Sequence, residues 1–126
     1  MDPTLAAQGA VPDTDPEALT RLRRFGGSRL VSDMIALFLE SMPRRLAAAR
    51  GGLSRGEPKI VEHELHALKS SAAQLGAVRM NRLSLEGEQL ARAGTLDGAA
   101  GILDALDAEQ LRVERWLVAA RTAGDA

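Results

Sequence analysis

The segment PKIVEHELHALKSSAAQLG, residues 58–76, constrains the fold more than any other stretch of the chain. Val61, Leu65, Leu68, Ala72 and Leu75 recur at spacings of four, three, four and three, which places them on one stripe of an α-helix. So regular a stripe belongs to a helix packed lengthwise against its neighbours in a bundle. The ends carry their own punctuation. Pro58 suits a first helical turn, where its missing N–H costs nothing, and Gly76 suits the left-handed residue that stops a helix.

The remaining walls of such a bundle are legible to different degrees. Asp15, Pro16 and Glu17 form an N-cap, a first helical position and an acidic first turn, and glycines follow Phe25, so a short N-terminal helix is expected there. Next comes a longer apolar stripe, Val31, Met34, Ile35, Phe38, Met42, Leu46 and Ala49, which Gly51 and Gly52 are expected to end. Pro43 interrupts it and predicts a kink near Leu39 rather than a break, because the stripe continues beyond. Met80, Leu83, Gly87 and Leu90 mark a further helix, and Leu103, Leu106, Leu111, Val113, Leu117 and Val118 mark the last. Short glycine-bearing connections make successive helices antiparallel neighbours. The expected fold is all-α: an up-and-down antiparallel four-helix bundle with a short N-terminal helix. Residues 1–12, with two prolines, a glycine and no sustained period, are expected to be a flexible arm before a single domain at 13–126.

Composition narrows the function. A chain of 126 residues supports one core. Sixteen basic and seventeen acidic residues leave a formal charge of -1, without the basic footprint that nucleic acid or a membrane surface requires, so protein partners are the default. No cysteine, no apolar run near eighteen residues and no signal-like start appear, and a cytoplasmic location is expected.

Chemistry concentrates in residues 63–77. His66 projects about 140° from the centre of the apolar stripe at 100° per residue, so it faces solvent. Ser70 and Ala73 share its face, with Ala77 just past the helix end, and Lys69 borders the strip. Small residues around one exposed imidazole leave a surface on which another protein can bring up its own groups. Alanine and serine are also cheap on any exposed helix, so the spacing alone leaves both accounts open. A metal site is poorly supported. HELH is one residue short of the i,i+4 spacing of a zinc helix, and with no third histidine and no cysteine a carboxylate such as Glu62 would have to complete it. No nucleophile elbow and no glycine-rich phosphate loop occurs.

The run His66-Ala67-Leu68-Lys69-Ser70-Ser71, followed by Leu75-Gly76-Ala77, resembles the H-x-L-K-G-S-x-x-x-φ-G signature of histidine-containing phosphotransfer (HPt) domains, φ being apolar. The likeness extends over nearly all of the chain from Asp13. It implies a four-helix bundle that takes a phosphoryl group from a receiver-domain aspartate and passes it to another response-regulator receiver, without ATP-dependent kinase activity of its own. By the same resemblance His66 is the phosphoacceptor, Lys69 the cation near the phosphoryl oxygens and Gly76 the helix stop, while His63 matches no role. The family often places a Gln or Glu on the next helix to bond the unreactive imidazole nitrogen, and Glu88 stands at that distance. The position after the lysine, usually glycine, is Ser70 here, whose hydroxymethyl group either crowds a docking receiver or hydrogen-bonds the phosphoryl group.

The implied partners are receiver domains, with a hybrid histidine kinase as another source. No cofactor is expected on this chain, Mg²⁺ being the receiver's. Leu30, Leu37 and Leu39 lie off the main stripe, and some of them are expected to form an exposed receiver-binding patch with Ala73 and Ala77, or else to pack on the short N-terminal helix. A monomer is expected, since no extra dimerising helix is evident. Two alternatives stay open: a non-catalytic helical adaptor, and a domain excised from a hybrid or chemotaxis kinase.

Overall fold

The computed structural model describes residues 13–125, so the expected N-terminal arm lies outside the described residues. Among them the chain forms four helices: α1 (Pro16–Ser54), α2 (Pro58–Leu75), α3 (Val78–Arg92) and α4 (Ala99–Asp125). α1 packs on α2, α2 on α3, α3 on α4 and α4 on α1, and neither diagonal pair is in contact. The helices therefore stand at the corners of a square around one core, as expected of an up-and-down bundle.

The start of α1 follows its local code. Asp15 is the N-cap, its Oδ1 accepting the Glu17 N–H at 3.1 Å, and Pro16 opens the first turn. The glycine pair then breaks the helix as expected: Gly27 takes φ 83° and ψ 173°, and α1 resumes beyond it in a new direction. Pro43, by contrast, leaves the helical backbone angles intact, so the kink expected near Leu39 does not show in them. The core face runs through Val31, Ile35, Phe38, Met42, Leu46 and Ala49, all buried.

Gly51 and Gly52 do not end α1. The helix continues to Ser54 and turns at Gly56, with φ 65°. Gly52 is small for a packing reason: a Cβ there would lie 2.9 Å from Ile60 Cβ, because the end of α1 meets the start of α2 at backbone distance.

α2 matches its expected bounds, and all five stripe residues are buried. Gly76 ends it with φ 82°, and the same residue ties down the start of the described residues. Its carbonyl accepts the Asp15 N–H at 2.8 Å, and a Cβ on Gly76 would meet Asp15 O at 2.3 Å. Asp13 O accepts the Arg79 N–H beside it.

The stripes of α3 and α4 differ from expectation. In α3 the buried set is Met80, Ser84, Gly87, Glu88 and Ala91, with Leu83 and Leu90 only partly covered. In α4 it is Ala99, Leu103, Leu106, Glu109, Val113 and Leu117, leaving Leu111 and Val118 57% and 48% exposed. Both shifts have one cause. Ser84, Glu88 and Glu109 occupy core positions, and hydrophobic periodicity does not register a buried polar residue.

Candidate functional site

His66 and Glu88 come from different helices, and the close packing of those helices brings them together. Gly87 on α3 lies against Leu65 on α2, so near that a Cβ would sit 2.4 Å from Leu65 Cδ1. His66 and Glu88 each directly follow one of these two residues, and His66 Nδ1 lies 2.5 Å from Glu88 Oε2. The imidazole is otherwise open, its side chain 60% exposed, while the carboxylate is 1% exposed. Asn81 Nδ2 donates to the Lys69 carbonyl at 2.9 Å, a second tie between the two helices.

A buried carboxylate requires compensation, and Glu88 has three partners. Lys69 Nζ donates to Oε1 at 2.6 Å, Arg92 Nη2 donates to Oε2 at 3.2 Å, and His66 supplies the third. Burial alone would push the Glu88 carboxyl up, but hydrogen bonds from Lys69 and His66, with their charges, outweigh it and hold the group below the usual carboxylate range. Glu88 is therefore an anion near neutral pH, acceptor only, and Nδ1 of His66 must carry the hydrogen between them. In the neutral imidazole that contact fixes the tautomer, with the lone pair on Nε2.

Arg92 is the site residue that sequence reasoning missed. Its Nε also donates to Glu62 Oε2 at 3.0 Å, so the guanidinium bridges α3 to α2 just below the imidazole. The signal was in the spacing. Arg92 stands four residues after Glu88, and Glu62 four before His66, both one turn along the same helix faces. Glu62, the carboxylate that a metal site would have needed, is engaged by Arg92 instead.

The other expected site residues separate clearly. Ser70 and Ala73 are exposed on α2, on the face that His66 occupies. Ala77 is not: it is fully buried, because the left-handed turn at Gly76 reverses the chain and carries Ala77 inward as the N-cap of α3. Of the three leucines, only Leu37 is openly exposed, at 65%. Leu39 packs against the core, and Leu30 is half-buried, folding over Gly26 at the break in α1. Of the leucine candidates for that patch Leu37 alone lies open, beside a shallow groove where Ser41 of α1 faces Ser71 and Gln74 of α2. His63 is exposed and lines, with Lys59, Glu62 and Arg92, the hollow beside His66.

The site is thus an exposed imidazole on a square helical bundle, its inner nitrogen held by a buried anion. The Hpt domain family model matches residues 33–116, two-thirds of the chain, and the chain belongs to that family. Its fold is similar to the crystal structure of histidine-containing phosphotransfer protein B (HptB) from Pseudomonas aeruginosa PAO1. The TM-score is 0.83 at 22% identity, over 90% of this chain and 98% of that one. No curated protein gives a significant match.

Proposed function

We infer that this chain is a phosphorelay intermediate that accepts a phosphoryl group on Nε2 of His66 from a receiver-domain aspartate and passes it to another receiver. Domains of this family work with receiver domains. The single observation that carries the assignment to His66 is the bond from its Nδ1 to the buried, ionised Glu88, which leaves the nucleophilic nitrogen facing solvent.

In the forward step the Nε2 lone pair attacks the phosphorus of an aspartyl phosphate. The N–P bond forms as the P–O bond to the aspartate breaks, and the aspartate leaves as a carboxylate. The ring gains positive character, which Glu88 stabilises across the Nδ1–H, and the same contact holds the phosphohistidine until a second receiver reverses the step. Lys69 rests on Glu88 and is 24% exposed, close enough to share its charge with the phosphoryl oxygens once these arrive. Ser70, one turn along the same face, is placed to donate to them. Phosphoryl transfer depends chiefly on positioning and charge, so a rigid bundle supplying one nitrogen suffices when the receiver brings the metal and the aspartate. Leu37 and Ala73 provide the apolar contact for docking.

The test is incubation with phosphorylated receivers, comparing wild type with His66→Gln and His63→Gln for acid-labile, base-stable label. Label lost only with His66→Gln is expected. Label surviving that substitution would exclude His66, and no label on the wild type from any receiver would leave the chain a helical adaptor.

A further inference from the structure

The outer face of α4 carries a motif that phosphotransfer leaves unused. Leu111 and Val118, one apolar residue at each end of two helical turns, are largely exposed, and between them stand Glu114 and Arg115. The other charges on the outer side of α4 are employed within the fold. Asp104 and Asp107 pair with Arg50, Arg112 with Asp13, and Arg121 with Ser32. Glu114 and Arg115 make no hydrogen bond or ion pair with the described residues, although each is exposed and adjacent to an open apolar side chain. A shallow hollow connects the four.

The order of these residues is self-complementary. Read along the helix it is apolar, acid, base, apolar, and a second helix running the other way presents apolar, base, acid, apolar. A two-fold axis between positions 114 and 115 sets Glu114 of one copy against Arg115 of the other, twice, and Leu111 against Val118, twice. An isologous interface requires this relation, in which one patch serves as its own partner. We propose that the outer face of α4 docks a second copy of this chain, antiparallel, as a two-fold dimer.

The position of the face fits that role. α4 and α2 are diagonal corners of the bundle and do not touch, so a dimer joined through α4 leaves both His66 faces open on opposite sides. Contact through one helix per subunit falls below the roughly 1,200 Å² of a standard stable interface, so the association is weak and concentration-dependent. It also departs from the monomer expected of the sequence, which was based on the lack of extra helices, not on this face. The inference is independent of the phosphotransfer assignment.

Sedimentation of the full chain from about 10 µM to about 1 mM tests it. The wild type should shift toward dimer across that range. Glu114→Arg and Arg115→Glu should each weaken association by at least about tenfold, since each sets like charges across the axis. The double reversal, E114R with R115E, should restore it. All three lie on an exposed surface, so circular dichroism should be unchanged, and labelling of His66 by a receiver should be unaffected. A wild type that stays monomeric throughout, single reversals without effect, or a double variant that stays monomeric would each overturn the proposal.

Discussion

Replacing Gly87 with alanine sets helix propensity against interhelical packing, and the outcome reports on the histidine site. An added methyl would lie 2.4 Å from Leu65 Cδ1 and 3.4 Å from Ile102 Cγ2. Carbon atoms rest at about 3.5–4 Å, so something must move by about 1 Å. Leu65 is 1% exposed and enclosed by the core, so the cheapest response is for α3 to move away from α2. Overpacking of this kind costs about 1–3 kcal/mol, while alanine in a helix interior returns about 1 kcal/mol relative to glycine. The net expectation is a loss of about 1 kcal/mol, or about 4 °C in Tm for a domain of this size. The same movement stretches the bond from His66 Nδ1 to Glu88, and a displacement of about 1 Å at a reacting group reduces transfer by about ten- to a hundredfold. Thermal melts and receiver-dependent labelling rates measure both effects. Gly101→Ala is the matched control, because a Cβ there has nothing within 4 Å and should raise stability by about 0.5–1 kcal/mol. A Gly87→Ala variant that melts at or above wild type and accepts phosphate at the wild-type rate would refute this account of how the helices are spaced.

Three other perturbations probe separate parts of the molecule. Gly76→Ala combines a left-handed φ of 82° with a backbone oxygen 2.3 Å from the new Cβ, and should cost at least about 2 kcal/mol by urea denaturation. Glu109 is 1% exposed with neither oxygen hydrogen-bonded, and burial, with repulsion from Asp13, pushes its carboxyl up against the pull of Arg112 and Arg79. A raised folded-state pKa means that stability declines as pH rises from the ordinary carboxylate value through the folded one. Glu109→Gln should therefore be about 1–3 kcal/mol more stable at pH 7, a gain that disappears below about pH 4, and a constant difference across pH would contradict the burial argument. Leu37→Glu should leave Tm within about 1 °C, as an exposed substitution, yet slow labelling by a receiver; unchanged kinetics would remove Leu37 from the docking surface.

What the sequence discloses depends on which force sets each residue's place. α2 is legible because burial alone decides its stripe and because Pro58 and Gly76 mark its ends. His66 is legible for the same reason, as the position opposite that stripe. α3 and α4 are less so. Glu88 takes a core position that apolar counting assigns elsewhere, and its burial is tolerated only because Lys69 and His66 from another helix, with Arg92, surround it. Gly52 reads as a helix stop but is a contact, since the backbone of α1 approaches Ile60 in a way that no local pattern announces. Ala77 reads as the continuation of an exposed face, yet one left-handed residue before it turns the chain inward.

The clasp between Asp15 and Gly76 has a further consequence for how this domain can be tethered. Because Asp15 donates to Gly76 and Arg79 to Asp13, the chain enters the bundle at the α2–α3 turn. His66 lies ten residues back along α2, about 15 Å at the helical rise. The described chain therefore begins at a fixed distance from His66, beside the α2–α3 turn rather than beside the imidazole. Any attachment made at Asp13 would thus be held at that turn, away from the exposed imidazole.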